Sequence, residues 1–250
     1  MKKMIMILAV LLVSVAGMAQ VNEWFKEAND AYNEGDFEQA LVLYGNIEDS
    51  GMESAELYYN MGNTYYKMKK YPMSILYYEK ALKLDPGDED IRTNLEIANL
   101  AVVDKINVLP QSFIARWWNG AKSKLSADGW AWVSVGAFAL LLLCLFAFLM
   151  ARRTGLRKVG FFAGLLMLLC LAFSVVFAIG NYTDQRSQDE AIVMTSTVNV
   201  KSSPSDISVD LFVLHEGAKV RILDSTKGWN KIRIADGSVG WLPAESMIAF

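Results

Sequence analysis

The sequence predicts a multi-domain chain that runs from α-helical hairpins through two transmembrane helices to a small β-barrel. Three observations carry this. Trp130–Met150 and Val159–Gly180 are long apolar runs without a charged residue, and at about 1.5 Å per residue each reaches the ~30 Å of a bilayer core. Between residues 20 and 86 small and aromatic residues recur at an offset of 34, the mark of stacked helical hairpins. From Ala191 onward apolar and polar residues alternate between Gly, Ser and Asp turns, the period of half-buried strands. A chain that is 53% hydrophobic yet 20% charged, with mean hydropathy +0.23, must concentrate its apolar content in this way.

In chain order, residues 1–19 read as a signal peptide: Lys2 and Lys3 precede an apolar core, and Gly17 and Ala19 form a small-residue cleavage site before Gln20. The alternative is an uncleaved anchor, although the core is shorter than the ~20 residues a span needs. Both readings export the chain.

Residues 20–108 superpose on themselves at the 34-residue offset. Ala28 falls on Gly62, Phe37 on Tyr71, Ala40 on Ser74, Tyr44 on Tyr78, Ile47 on Ala81 and Met52 on Pro86. This resembles the tetratricopeptide repeat. Its small residues let two antiparallel helices approach, while its aromatic residues wedge the turn and the next repeat. The second copy, with Gly62, Tyr65, Tyr71, Tyr78, Ala81 and Pro86, is the better match; the first departs at Glu27, Ile47 and Met52. EDIRTNLEIANLAVVDKI then reads as a capping helix.

The resemblance implies a concave protein-binding groove lined by Phe25, Asn29, Tyr32 and Asn33 in the first repeat and by Tyr59, Asn63, Tyr66 and Lys67 in the second. Asn29 and Asn63 are placed either to hydrogen-bond a bound backbone or as solvated helix residues, and the aromatic positions either in the groove or in the core. Phe25 occupies the place of a carboxylate-clamp lysine, which argues against a chaperone-type clamp. Between Gln20 and Pro110 lie 17 acidic and eight basic residues, a balance that disfavours nucleic acid and favours basic partner surfaces.

Residues 109–129 contain Trp117 and Trp118 followed by Lys122 and Lys124, the composition of an amphipathic helix at a membrane surface or of an ordinary linker helix. The spans follow at 130–150 and 159–180, joined by a loop at 151–158 that carries Arg152, Arg153, Arg157 and Lys158. Short loops rich in Lys and Arg stay in the cytoplasm. Those four residues are therefore topological determinants that put both flanking segments outside, in agreement with the signal peptide. Trp130 and Trp132 suit the interfacial belt, and Gly160 and Gly164 form a small-xxx-small packing or dimer face.

After a linker at 181–190, residues 191–250 form the predicted barrel. The elements VNVKSSPS, LHEGAKVRIL and GWNKIRIADGSVGWLPA resemble a bacterial SH3-like domain, through Asn199, Val200, Pro204, Glu216, Gly217, Gly228, Trp229, Asp236, Gly237, Gly240 and Trp241. Asp236-Gly237 supplies the positive φ of a tight hairpin turn. Trp241 is expected in the barrel core, and Trp229 either there or on a binding surface.

Catalysis is disfavoured. His215 is the only histidine and reads as structural or exposed, and Cys144 and Cys170 both fall in the spans, where a thiolate is poorly solvated. No phosphate-binding glycine motif is present, and neither a cofactor nor a metal is expected. The order of modules resembles the BatE-type proteins of the Bacteroides aerotolerance (Bat) system. That resemblance implies a non-enzymatic inner-membrane adaptor whose repeat and barrel domains are periplasmic. Its partners would be membrane lipid and membrane-anchored von Willebrand factor A-domain proteins, with a link to aerotolerance or stress. The alternative is a sensor that binds peptidoglycan or peptides through the barrel.

Overall fold

The computed structural model describes residues 20–106 and 109–250; the expected signal peptide lies outside the described residues. The chain divides into two compact units. One comprises residues up to Ala81, Glu89–Val108 and Asp189–Phe250; the other comprises Leu82–Asp88 and Leu109–Gln188.

In the first unit, helix α1 covers residues 20–34 and is followed by α2 (Phe37–Asp49), α3 (Ala55–Lys67), α4 (Tyr71–Leu84) and α5 (Glu89–Leu100). Side-chain caps start α2 and α3: Asp36 accepts from the Gln39 N–H, and Ser54 from the Leu57 N–H. The α1–α2 and α3–α4 turns superpose at the repeat offset. Gly35 and Lys69 both take positive φ, and the following Asp36 and Lys70 N–H groups donate back to the Ala31 and Tyr65 carbonyls. The aromatic wedges superpose too: Phe25–Tyr44 and Tyr59–Tyr78 centroids are each 6.0 Å apart, Tyr32–Phe37 and Tyr66–Tyr71 each 5.6 Å. Ala28, Ala40, Ser74 and Ala81 are fully buried. The Ser74 hydroxyl donates to the Gly62 carbonyl at 2.8 Å, bringing α4 against α3. Helix α5 ends at Leu100, so the expected capping helix is shorter than its apolar pattern; residues 101–106 leave it as an irregular strap.

Seven strands complete this unit: β1 (Glu190–Val193), β2 (Thr197–Lys201), β3 (Asp210–His215), β4 (Lys219–Thr226), β5 (Trp229–Arg233), β6 (Val239–Pro243) and β7 (Met247–Ala249). They form one antiparallel sheet in the order β3-β2-β6-β5-β4-β1-β7. Val193, Val200, Leu214, Val220, Ile232 and Leu242 are its core. Gly237 has φ +92° in the β5–β6 turn, as Asp-Gly predicts; the β4–β5 turn uses Lys227 and Gly228, both at positive φ. Gly240 lies under β2, where an added Cβ would come within 2.3 Å of Val200 Cγ1.

The strap and α4 dock on the barrel. Asp104 accepts from the His215 backbone N–H at 2.7 Å and contacts its ring Nδ1 at 2.8 Å. Val102 packs at Gly217, and Ile106 packs against the barrel core. Lys219 Nζ lies 2.8 Å from Glu79 of α4 and 3.0 Å from Glu190 of β1. Burial opposes the Lys219 charge, but the Glu79 and Glu190 carboxylates outweigh it and hold its pKa above the ordinary lysine value.

The second unit is built on α6 (Phe113–Lys122), α7 (Ala127–Met150) and α8 (Thr154–Arg186). Helices α7 and α8 are both long and apolar enough to cross a membrane, and only 6% and 11% of their most apolar windows are buried. A core helix of a soluble domain would be mostly covered. The connection differs from the expected loop at 151–158, because α8 starts at Thr154 and takes Arg157 and Lys158 into its first turns. Basic side chains are good helix formers, and Arg157 is further held by its Nε donating to the Phe148 carbonyl at 3.3 Å. The helices likewise extend beyond 130–150 and 159–180; the 33 residues of α8 span about 50 Å, so polar ends project past the apolar run.

Gly160 and Gly164 face α7. A Cβ on Gly160 would sit 3.0 Å from the Phe148 nitrogen and 3.1 Å from the Cys144 carbonyl, and one on Gly164 would sit 3.5 Å from Cys144 Cβ. Their close approach thus closes the hairpin within one chain. Ser134 and Ser174 hydroxyls bond across the same seam at 2.9 Å.

Candidate functional site

The groove grows from helix periodicity. Residues three and four apart on α1, α3 and α5 share a face, and the 34-residue repeat places the same side chains on that face in each hairpin. Asn29 Oδ1 accepts from the Tyr44 hydroxyl (2.6 Å) and from Asn60 Nδ2 (3.2 Å). One repeat later Asn63 Oδ1 accepts from the Tyr78 hydroxyl (2.6 Å) and from Asn94 Nδ2 (3.0 Å), and Asn94 Nδ2 also reaches the Tyr59 hydroxyl at 2.9 Å. The amide oxygens of Asn29 and Asn63 are thereby engaged inside the protein, and both residues line clefts, which leaves their NH2 groups as the donors they can offer there.

Two adjoining clefts share Tyr32. One of about 260 Å³ is lined by Asn29, Tyr32, Asn33, Tyr44 and Asn60. The other, of about 320 Å³, is lined by Tyr32, Tyr59, Asn63, Tyr66, Lys67, Tyr78, Asn94 and Ile97. Among these lining residues Lys67 alone is charged. Burial, then its neighbours Tyr32 and Glu56, push the Tyr44 hydroxyl pKa up, and burial does the same at Tyr78. Both hydroxyls therefore stay protonated donors. Apart from Lys67 the surface is uncharged, aromatic and rich in amide groups. It suits the backbone and uncharged side chains of an extended segment and offers no activated nucleophile.

Seven of the eight sequence-predicted groove residues line the clefts. Phe25 does not; it packs edge-on against Tyr44 and supports the wall. Sequence reasoning missed Asn60 and Asn94, which the same 34-residue offset relates. Applying the offset to every polar residue of α3 would have found them.

On the barrel, Trp241 is not in the core. Directly paired residues of an antiparallel sheet share a face, and Trp241 pairs with Lys201 of β2 and Lys231 of β5. Gly240 and Leu242 take the inward positions of β6 and leave Trp241 half-buried outside. Trp229 pairs with Pro243 and Thr226 on that same outer face. His215 is a structural residue held by Asp104. Cys144 and Cys170 are free thiols in α7 and α8, and among the described residues no cluster of His, Cys, Asp and Glu is arranged to hold a metal.

Set beside known proteins, the chain carries two recognisable modules. The family model of the tetratricopeptide repeat matches residues 55–88, the α3–α4 hairpin and its following turn. The model of the bacterial SH3 domain matches residues 196–247, nearly the whole barrel. No curated protein matches the chain. The fold class is therefore tetratricopeptide-type helical hairpins, two apolar helices of membrane-spanning length and an SH3-like barrel. Modules of these classes point to protein binding or peptidoglycan binding.

Proposed function

We propose that this protein is a non-enzymatic adaptor of the bacterial inner membrane that holds a partner protein in its repeat groove. The observation that carries this is the doubled network of Asn29, Tyr44 and Asn60 with Asn63, Tyr78 and Asn94, which lines two adjoining clefts whose one charged lining residue is Lys67. The α7–α8 hairpin anchors the adaptor, with Arg152, Arg153, Arg157 and Lys158 in the cytoplasm and both terminal domains in the periplasm. The basic cluster at the hairpin turn supports that topology. The module order supports a Bat-type complex with membrane-anchored von Willebrand factor A-domain proteins, and through it a role in aerotolerance or envelope stress.

A photo-crosslinker at Tyr59 or Tyr66, applied in intact cells, tests the groove. Capture of an envelope protein that is lost with Asn29→Ala/Asn63→Ala supports the adaptor; capture unaffected by that pair sinks the groove as its site. For topology, a phosphatase fused after Phe250 should be active and one fused at Arg152 inactive. Outward Trp229 and Trp241, flanked by Lys201 and Lys231, favour a second reading, a wall sensor. Retention of the full chain on sacculi, abolished by Trp229→Ala, would establish it.

A further inference from the structure

Helix α6 carries an apolar face that the second unit leaves uncovered. At about 100° per residue, Phe113, Trp117, Ile114 and Trp118 fall within one arc of about 140°, with Arg116 and Asn119 opposite. Phe113 and Ile114 are each 75% exposed and Trp117 58%, whereas Trp118, at the margin of that arc, packs edge-on against Phe177 of α8 at 4.9 Å. Phe177 receives Trp130 of α7 from another side, also at 4.9 Å.

The C-terminal end of α6 is tied down by polar contacts. The Trp130 indole N–H donates to the Lys122 carbonyl at 2.8 Å, and buried Asn181 donates from Nδ2 to the Lys122 and Leu125 carbonyls at 3.2 and 2.8 Å. Lys122 Nζ pairs with Asp184. These contacts order α6 along α8. Trp118 meets Phe177, and Lys122, one turn later, meets Asp184, about 10 Å further along the α8 axis. Phe113, Ile114 and Trp117 precede Trp118, so the direction of α6 carries them away from the Lys122–Asp184 pair toward the level of the apolar run of α8.

We propose that α6 is an interfacial helix whose Phe113–Ile114–Trp117 face is immersed in the acyl-chain boundary of the leaflet where α8 ends, with Lys122 and Asp184 at headgroup level. This rests on the reading that α7 and α8 span the membrane. Lipid is the occupant because the face lies beside helices of membrane-spanning length and interfacial tryptophans, while Arg116 on the opposite side of α6 and Lys124 just after it suit headgroup phosphates.

The test uses the full chain with Cys144→Ala and Cys170→Ala, reconstituted in nanodiscs of phosphatidylcholine and phosphatidylglycerol. Spin labels are introduced singly through Phe113→Cys, Trp117→Cys, Asn119→Cys and Leu143→Cys, and accessibility to oxygen and to a nickel chelate is compared. Labels at 113 and 117 should favour oxygen several-fold over nickel, at a depth between the aqueous 119 site and the central 143 site. Nickel access at 117 equal to that at 119 overturns the proposal. So does shielding from both reagents, which means a protein covers the face. A label at 143 that is not oxygen-rich overturns the spanning reading and this proposal with it.

Discussion

Replacing Gly62 with alanine should destabilise the repeat domain, although the same change at an open helix position stabilises. A Cβ built on Gly62 would lie 2.6 Å from both Cδ1 and Cε1 of Tyr78, about 1 Å inside carbon–carbon contact distance. The Tyr78 ring cannot swing away cheaply, because it is 2% exposed and its hydroxyl is bonded to Asn63 at 2.6 Å. Overpacking of this kind costs about 2–3 kcal/mol, the upper part of the usual range. Alanine regains about 1 kcal/mol of helix propensity over glycine, leaving a net loss of about 1–2 kcal/mol. At Gly45 in α2 nothing lies within 4 Å of a built Cβ, so Gly45→Ala should gain about 0.5–1 kcal/mol. Urea unfolding of the full chain in mild detergent, followed by far-UV circular dichroism, reads both changes as shifts of midpoint at constant slope. The thermal midpoint should move by about 2–4 °C per kcal/mol. Opposite signs at the two positions are required, and a Gly62→Ala protein as stable as wild type would refute the close-approach account. Because the clash displaces Tyr78, the same variant should also weaken partner capture at the groove.

Three further outcomes are expected. A double-mutant cycle of Glu79→Gln and Lys219→Met should give a coupling of about 1 kcal/mol in urea unfolding, modest because the Lys219 side chain is 38% exposed; zero coupling would undo the docking of α4 on the barrel. Lys69→Gly should stabilise by about 1 kcal/mol, since Lys69 holds φ +59° where its repeat mate is Gly35; destabilisation would mean the Lys69 side chain matters more than its backbone. Tyr44, Tyr58, Tyr77 and Tyr78 have pKa values raised chiefly by burial. Their neutral forms stabilise the fold fully below about pH 10, the unfolded value, and that contribution is lost as pH rises toward the folded values. Lys219, also raised, adds a loss in the same direction. Tyrosinate absorbance and helix signal should therefore change together above about pH 10; full ionisation of the tyrosines with the helices intact would contradict the burial.

Much of this molecule is written locally. The recurrence of Tyr44 at Tyr78 and of Phe37 at Tyr71 signals stacked hairpins because each hairpin has an apolar face that only a neighbour of the same period covers. The charge-free runs of α7 and α8 announce spanning length directly, since length and composition set that property. The repeat relates Asn29 to Asn63 and Tyr44 to Tyr78, so their paired hydrogen bonds follow one register, whereas the packing of Phe25 against Tyr44 depends on which neighbour covers a helix face, which the face itself does not show. The break at Leu100 and the continuation of α8 through Arg157 and Lys158 escaped for a related reason. Helix ends depend on caps and on contacts such as Arg157 with the Phe148 carbonyl.

Pattern and length alone thus establish the order of modules, the two apolar helices and the repeat register, because each is a periodicity or a sum over neighbouring residues. Which face of the barrel Trp241 takes rests on the sheet register that places it opposite Lys201 and Lys231. The partners of His215 and Lys219, Asp104 and Glu79, lie 111 and 140 residues away in the chain. Such pairings arise only when distant segments are brought together, and the free energy of a charge or an indole is settled by what then surrounds it.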